Sequence, residues 1–227
     1  MAIFKDYYYR PISGLKAVEG GYVFDPKDKG KETYMGVSRR YNPDFAGWAI
    51  IDKEKQNKPL KRGSYIKNDA LYKMVYDFLY QKYWVKGSFG LIDNQSIAEI
   101  LADWRINGGM VGNLVAEIQR LIGANDDGFW GKNSSLAVNK FANNEENTKL
   151  LFDKIKENRL RAYKSDSSYE HHKKGWLNRL NGFIFTQSIE DKKKTINRNI
   201  NKINVKQCII SSLLTIGAII AINKLNN

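Results

Sequence analysis

Apolar residues recur along this chain at the three- and four-residue spacing of helices far more often than at the alternation of strands. Phe4, Tyr8, Ile12, Leu15 and Val18 predict one helix face, with Pro11 as a first turn or a kink. Gly20-Gly21 stops that helix, one of the two able to take a left-handed cap. Asp25-Pro26 and Lys29-Gly30 punctuate turns, so the stretch from Tyr22 to Val37 is expected as a short hairpin or irregular loop. Leu71, Met74, Val75, Phe78 and Leu79 then form one face of a helix from about Asn68 to Val85. Ile97, Ile100, Leu101 and Trp104 mark the next, ended by Gly108-Gly109, and Leu114, Val115, Ile118, Leu121 and Ile122 another, capped by Gly123. Further helices are expected at 134–142, 145–163 and 168–183. The chain is thus mainly α, a helical bundle with one small hairpin, and it contains no internal repeat.

From Gln187 the pattern changes. "QSIEDKKKTINRNINKINVK" is polar and rich in Lys and Asn, with Ile196, Ile200 and Ile203 as a narrow helical stripe, and is expected as an extension or linker. It leads to "CIISSLLTIGAIIAI", Cys208 to Ile222, apolar on all sides. A 15-residue helix rises only about 22 Å, short of a hydrocarbon core of roughly 30 Å. With its flanks, and with Lys206 and Lys224 reaching the interfaces, the segment is long enough to span. A buried core helix is the alternative; the polar stretch that isolates the tail favours an anchor.

Composition adds charge to this picture. The 227 residues are 42% hydrophobic and 12% aromatic, a globular balance, with a formal net charge of +13. Such a surface suits an anionic partner: nucleic acid, anionic lipid or an acidic envelope polymer. No nucleic-acid-binding motif appears, and the aromatics are not interleaved with basic residues on a platform, so no specific nucleic-acid partner is expected. One cysteine, Cys208, excludes an intramolecular disulfide, and the two histidines, His171 and His172, are adjacent. Neither a zinc spacing, nor a Ser/His/Asp or Cys/His set, nor a phosphate-cradling glycine loop can be assembled, so no metal or cofactor is expected. Lys5 and Asp6 precede any apolar run, so the N-terminal stretch is not a cleavable signal peptide.

Carboxylate chemistry survives this elimination. Glu19 sits in the last turn of the first predicted helix, where the helix dipole disfavours a second negative charge. Desolvation against the apolar face of that helix would raise its pKa further. A carboxylic acid kept protonated near neutral pH is what glycosidic cleavage needs to protonate a leaving oxygen. Asp28 and Thr33 follow on the hairpin, where an ionised aspartate can stabilise an oxocarbenium ion and a hydroxyl can hold water. On position alone, a solvated glutamate at a helix end is the commoner occurrence.

The stretch "EGGYVFDPKDKGKETYMGVS" resembles the signature of glycoside hydrolase family 108, the phage and bacterial N-acetylmuramidases. Its parts are Glu19-Gly20-Gly21-Tyr22, Asp25-Pro26-Lys27-Asp28, Gly30, Thr33 and Gly36-Val37-Ser38. The chain departs from the family at Lys31, where a second glycine is usual. The resemblance continues in "DALYKMVYDFLYQKYW", ending in Tyr83-Trp84, and in "IAEILADWRINGG", with Asp103, Asn107 and Gly109. "IQRLIGANDDGFWGKNSSLAVN" and "KKGWLNRLNGF" are similar to the family's predicted peptidoglycan-binding region.

The resemblance implies a lysozyme-like α+β fold that hydrolyses the β-1,4 bond between N-acetylmuramic acid and N-acetylglucosamine. It makes Glu19 the general acid, with Asp28 and Thr33 the candidates for electrostatic stabilisation and water placement. Candidate sugar contacts are Tyr22, Asp25 and Tyr34 on the hairpin, Asp103 and Asn107 lining the cleft, and Trp130 or Trp176 stacking on sugar rings. For Asp103 and Asn107 a capping pair that orders the Gly108-Gly109 turn is an equal alternative, and for the tryptophans a core position. The expected organisation is a muramidase region at 1–106, a helical peptidoglycan-binding region at 107–186 packed on it, a basic linker at 187–206 and a membrane anchor at 207–225. The implied partner is peptidoglycan, reached from the inner membrane, as in a phage or prophage endolysin. The alternative is a non-catalytic, membrane-anchored peptidoglycan-binding protein of the envelope or of secretion.

Overall fold

The computed structural model of the chain describes residues 1–10, 14–18, 20–26, 31–108 and 110–187. Helices dominate, and a small three-stranded antiparallel sheet interrupts them near the start, the mainly helical α+β make-up that the sequence pattern predicts. Two helices, α1 (Phe4–Tyr9) and α2 (Leu15–Val18), stand where the periodicity predicts one. The chain leaves the helix at Arg10, whose ψ of 130° is extended. A residue before proline is pushed towards that region, because the proline ring crowds it in the helical one.

The sheet runs β1 (Tyr22–Phe24), β2 (Glu32–Tyr34) and β3 (Val37–Ser38), antiparallel and in that spatial order. β2 and β3 are joined by Met35-Gly36, both at positive φ (45° and 82°), the handedness that two-residue hairpin turns require. Helix α3 (Gly47–Asn57) follows, an element the periodicity does not predict. Only Trp48 and Ile51 among its large apolar residues are fully buried, too short a stripe to register.

Helix α4 (Asp69–Leu79) begins at Asn68, whose Oδ1 accepts from the Leu71 N–H at 2.9 Å. Leu71, Val75 and Leu79 are buried at four-residue spacing, and the next buried residue is Trp84, five further on. The wider π-helical turn Tyr80–Val85 accommodates that step. It brings Trp84 against Phe4, at 5.5 Å between ring centroids, and against Phe89 at 6.0 Å.

Helix α5 (Gln95–Gly108), capped by the Asn94 side chain on Ile97 N–H, is the central element. Residues 96–104 along it are all buried, so other elements cover it on every side. Helices α6 (Asn113–Leu121), α7 (Lys132–Phe141), α8 (Glu145–Ser165) and α9 (Tyr169–Asn181) complete the bundle, with α8 packed on α5, α6 and α9. The chain from α9 returns to α5 through Thr186, whose N–H donates to Ser96 Oγ at 2.9 Å.

By its contacts the chain divides after Thr186, and Met1–Thr186 form one compact unit. Of the remainder only Gln187 is described, so the linker at 187–206 and the anchor at 207–225 otherwise lie outside the described residues. Among the described residues no helix is long and apolar enough to cross a membrane.

Candidate active site

Glu19 and Asp28 lie outside the described residues, but the backbone on either side of Glu19 is described. Neither Gly20 nor Gly21 takes a left-handed conformation, contrary to the expected cap. Gly21 is needed for a different reason. A Cβ there would lie 2.3 Å from the Ser64 carbonyl oxygen, whereas one on Gly20 would meet nothing within 4 Å. The close approach is locked by the Tyr22 N–H donating to Ser64 O at 2.8 Å and the Gly63 N–H to Tyr22 O at 2.7 Å. The chain leaving Glu19 is therefore pinned to the 63–64 turn at once.

Strand register decides which hairpin side chains can act together. Thr33 pairs with Val23 on one side and Ser38 on the other, so these three share a face and Thr33 is half-buried there. Tyr22 and Tyr34 pair with each other and point to the opposite face, into the core. Tyr34 is 0% exposed, its hydroxyl accepting from Ile66 N–H at 3.1 Å. Tyr22 is buried and donates to Glu32 Oε1 at 3.0 Å. Both were expected as sugar contacts; the two-residue period of the strands makes them core. Asp25 is half-buried at the end of β1, where its N–H closes the hairpin on Lys31 O.

Glu32 belongs to a charge network that links the sheet to α3. Lys55 donates to Glu32 at 2.7 Å, Arg39 lies 2.8 Å from its other oxygen, and Arg39 also forks onto Asp52 at 2.6 and 3.0 Å. The Arg39 guanidinium lies 4.4 Å over the Trp48 ring. Its hydrogen bonds hold Asp52 below the usual carboxylate range, and the bond Lys55 donates to Glu32 raises Lys55. Sequence reading missed this network along with α3.

On the helical side, Asp103 is enclosed at 0% exposure. Its carboxylate accepts from Tyr7 Oη at 2.9 Å, Arg159 Nη2 at 2.6 Å, Arg179 Nη2 at 2.8 Å and Arg179 Nε at 3.0 Å. Burial alone would raise its pKa, but the two guanidiniums outweigh it and hold it down to about 2. Asp103 was expected to line a cleft. It is instead the buried centre at which α1, α5, α8 and α9 meet, beyond the reach of a sugar.

Asn107, one turn further along α5, is exposed, and its Nδ2 donates to Asp103 O at 2.9 Å. It lines a pocket of about 230 Å³ with Trp104, Tyr163, Trp176, Arg159 and Arg179. Trp176 is half-buried and stacks on Tyr163, with ring centroids 5.0 Å apart and planes at 28°. Trp130, the other tryptophan considered for stacking, is 5% exposed and spends its Nε1–H on Ser135 Oγ at 2.9 Å. It is a core residue. Asn107, Arg179 and Trp176 thus converge on one pocket, with Asp103 beneath it, while Thr33, Tyr22, Tyr34 and Trp130 do not line it.

One further carboxyl has the proton affinity of a general acid. Burial pushes Glu99 up to about 7, against a lowering by the Gln95 hydrogen bond and by Arg10. Its side chain is fully enclosed, with Oε1 accepting from Gln95 at 2.8 Å and Oε2 against the Arg10 guanidinium, so it touches no surface a substrate can reach. Among the described residues no cluster of His, Cys, Asp and Glu fits a metal ion.

Comparison with known proteins adds two findings. Residues 12–109 match the family described as Glycosyl hydrolase 108. The solved structure of Brucella abortus SagA is similar over 78% of this chain and 91% of that one, at 21% identity and a TM-score of 0.52, a likeness of fold. No curated protein matches the chain.

Proposed function

We propose that this protein, whose residues 12–109 match the family described as Glycosyl hydrolase 108, is a glycoside hydrolase that cleaves peptidoglycan at the β-1,4 bond between N-acetylmuramic acid and N-acetylglucosamine. The observation that carries this reading is that the matched segment contains Glu19, Asp28 and Thr33 in the order and spacing of the family signature. In the proposed mechanism Glu19 protonates the glycosidic oxygen as the bond breaks. Asp28 stabilises the positive charge developing on the sugar ring, and Thr33 positions water.

The pinned backbone after Glu19 supports such a role, because a general acid must hold its position to within a fraction of an ångström. Asn107 and Trp176, brought to one pocket, are the proposed sugar contacts on the helical side, with Asp25 at the hairpin. Asp103 enters as a positioning residue beneath that pocket, through its grip on Arg159 and Arg179. Native protein should clear a suspension of purified cell walls and Glu19→Gln should not. Equal clearing by both would remove Glu19 from the mechanism.

We also propose that the C-terminal apolar segment anchors the protein to the inner membrane, in the manner of a phage or prophage endolysin. The run Lys192, Lys193, Lys194, Arg198, Lys202 and Lys206 before it, with only Lys224 after it, supports attraction to an anionic leaflet. Deleting residues 208–227 should move the protein from the membrane fraction to the soluble fraction; unchanged membrane recovery would contradict the anchor.

A further inference from the structure

A hollow of about 560 Å³ lies between α1, α2 and α4 and shares no lining residue with the Trp104–Trp176 pocket. Tyr9, 52% exposed, stands on its edge, stacked on Tyr76 with centroids 6.2 Å apart and planes at 24°. Tyr76 continues the platform to Tyr80 at 14°. The Lys16 ammonium is held over two rings of the wall, 5.4 Å from Tyr9 and 5.8 Å from Tyr72. A second hollow of about 530 Å³ also touches Lys5 and Tyr9, so the two lie side by side along α1 with Tyr9 between them.

Two features distinguish this surface from an ordinary solvated face. Aromatic rings are costly to leave in water, yet three tyrosines, Tyr9, Tyr72 and Tyr76, line this hollow, and the planes of Tyr9 and Tyr76 lie within 24° of each other. The hollow also presents cations and anions together: Lys5 and Lys16 as donors, Asp69 as acceptor, and Lys73 already paired with Asp77. Two carboxylates offset two of the three lysines, so the hollow lacks the strongly basic lining that a nucleic-acid backbone calls for. Neutral vicinal hydroxyls use donors and acceptors alike, and the apolar face of a pyranose ring packs on a tyrosine. The volume lies within the roughly 300–1,000 Å³ usual for ligand sites.

We infer that the α1–α2–α4 groove is a second saccharide site, binding a neutral N-acetylated glycan segment through Tyr9 and Tyr76, with its hydroxyls bonded to Lys5, Lys16 and Asp69. It rests on peptidoglycan being the substrate, and it would hold the enzyme on the polymer between cuts. Lys16 precedes Glu19 by three residues in the sequence, so the test substitutes Tyr9 and Lys5, which are exposed and outside the proposed mechanism.

In the full chain, Tyr9→Ala with Lys5→Ala should weaken retention on purified sacculi about tenfold, the equivalent of ~1.4 kcal/mol. Retention is measured in the Glu19→Gln background to prevent digestion, and turnover of a soluble muramyl tetrasaccharide in the active background should stay within about twofold. Unchanged retention overturns the site. So does a parallel fall in tetrasaccharide turnover, which would make the groove part of the catalytic cleft, or a loss of DNA binding with none of sacculus binding. If the unsubstituted protein releases no sugar ends from sacculi while the groove variants still lose retention, the proposed hydrolysis fails and the groove stands.

Discussion

Replacing Asp103 by Asn tests whether the bundle is held where four helices meet. The amide keeps the shape but removes the carboxylate charge that faces Arg159, 1% exposed, and Arg179, and turns one of the two acceptor oxygens into a donor. Breaking a buried ion pair by neutralising one partner costs about 3–5 kcal/mol, because the charge left behind stays buried. For a unit of this size that is a fall in Tm of roughly 10 °C or more. Acid provides an independent handle. The folded pKa of about 2 lies below the ordinary 3.8, so its stabilisation is complete above about pH 5 and is lost as pH falls through about 2. That lowering corresponds to roughly 2 kcal/mol. Urea unfolding followed by tryptophan fluorescence, at pH 7 and then stepwise down to pH 2, measures both. Asp103→Asn should be less stable at pH 7 and should lose much of the acid dependence. A cost below about 1 kcal/mol at pH 7, or an acid slope equal to that of the unsubstituted protein, would refute the role assigned to this carboxylate.

Glu99 works in the opposite sense: its folded pKa of about 7 exceeds the ordinary 4.5, so stability should decline as pH rises between those values, by roughly 3 kcal/mol, and Glu99→Gln should flatten that decline in the same urea series. Gly21→Ala, pressed against the Ser64 carbonyl, should cost about 1–3 kcal/mol, while Gly20→Ala should stay within about 0.5; equal effects in thermal unfolding would contradict the close-approach account. Lys31 holds φ at 51°, so Lys31→Gly should relieve about 1–2 kcal/mol of strain against 0.5–1 of added chain entropy, a small net gain in Tm; a fall would mean the side chain makes a contact worth more than the strain.

Much of the fold was legible because its helices carry long apolar stripes and polar caps. Asn68 starts a helix where the pattern places it, and Gly123, at φ 70°, closes one. What stayed hidden was set by tertiary contact. Helix α3 buries too few apolar residues to mark itself, and the π turn at Tyr80–Val85 alters hydrogen bonding rather than composition, its one trace being the five-residue step from Leu79 to Trp84. In the candidate site, the motif pointed to Glu19 as the proposed acid, which lies outside the described residues, and side-chain direction separated the residues of the hairpin beyond it. The alternation of Tyr22 and Tyr34 against Thr33 was present in the strands and would have assigned both tyrosines to the core had the register been applied. Arg159 and Arg179 gave no such sign, since arginine is ordinarily a surface residue and only the folded chain reveals two of them on one carboxylate. Lys31 shows the converse: the chain keeps the left-handed turn even without the glycine usual in the family.

The sugar fragments released from purified walls, analysed by mass spectrometry for the unsubstituted protein and for Glu19→Gln, test the muramidase assignment most directly. The unsubstituted protein should release fragments with a reducing N-acetylmuramic acid end, and Glu19→Gln should release none above background. Fragments ending in reducing N-acetylglucosamine, or equal release by both proteins, would contradict the muramidase assignment or the acid on which it rests.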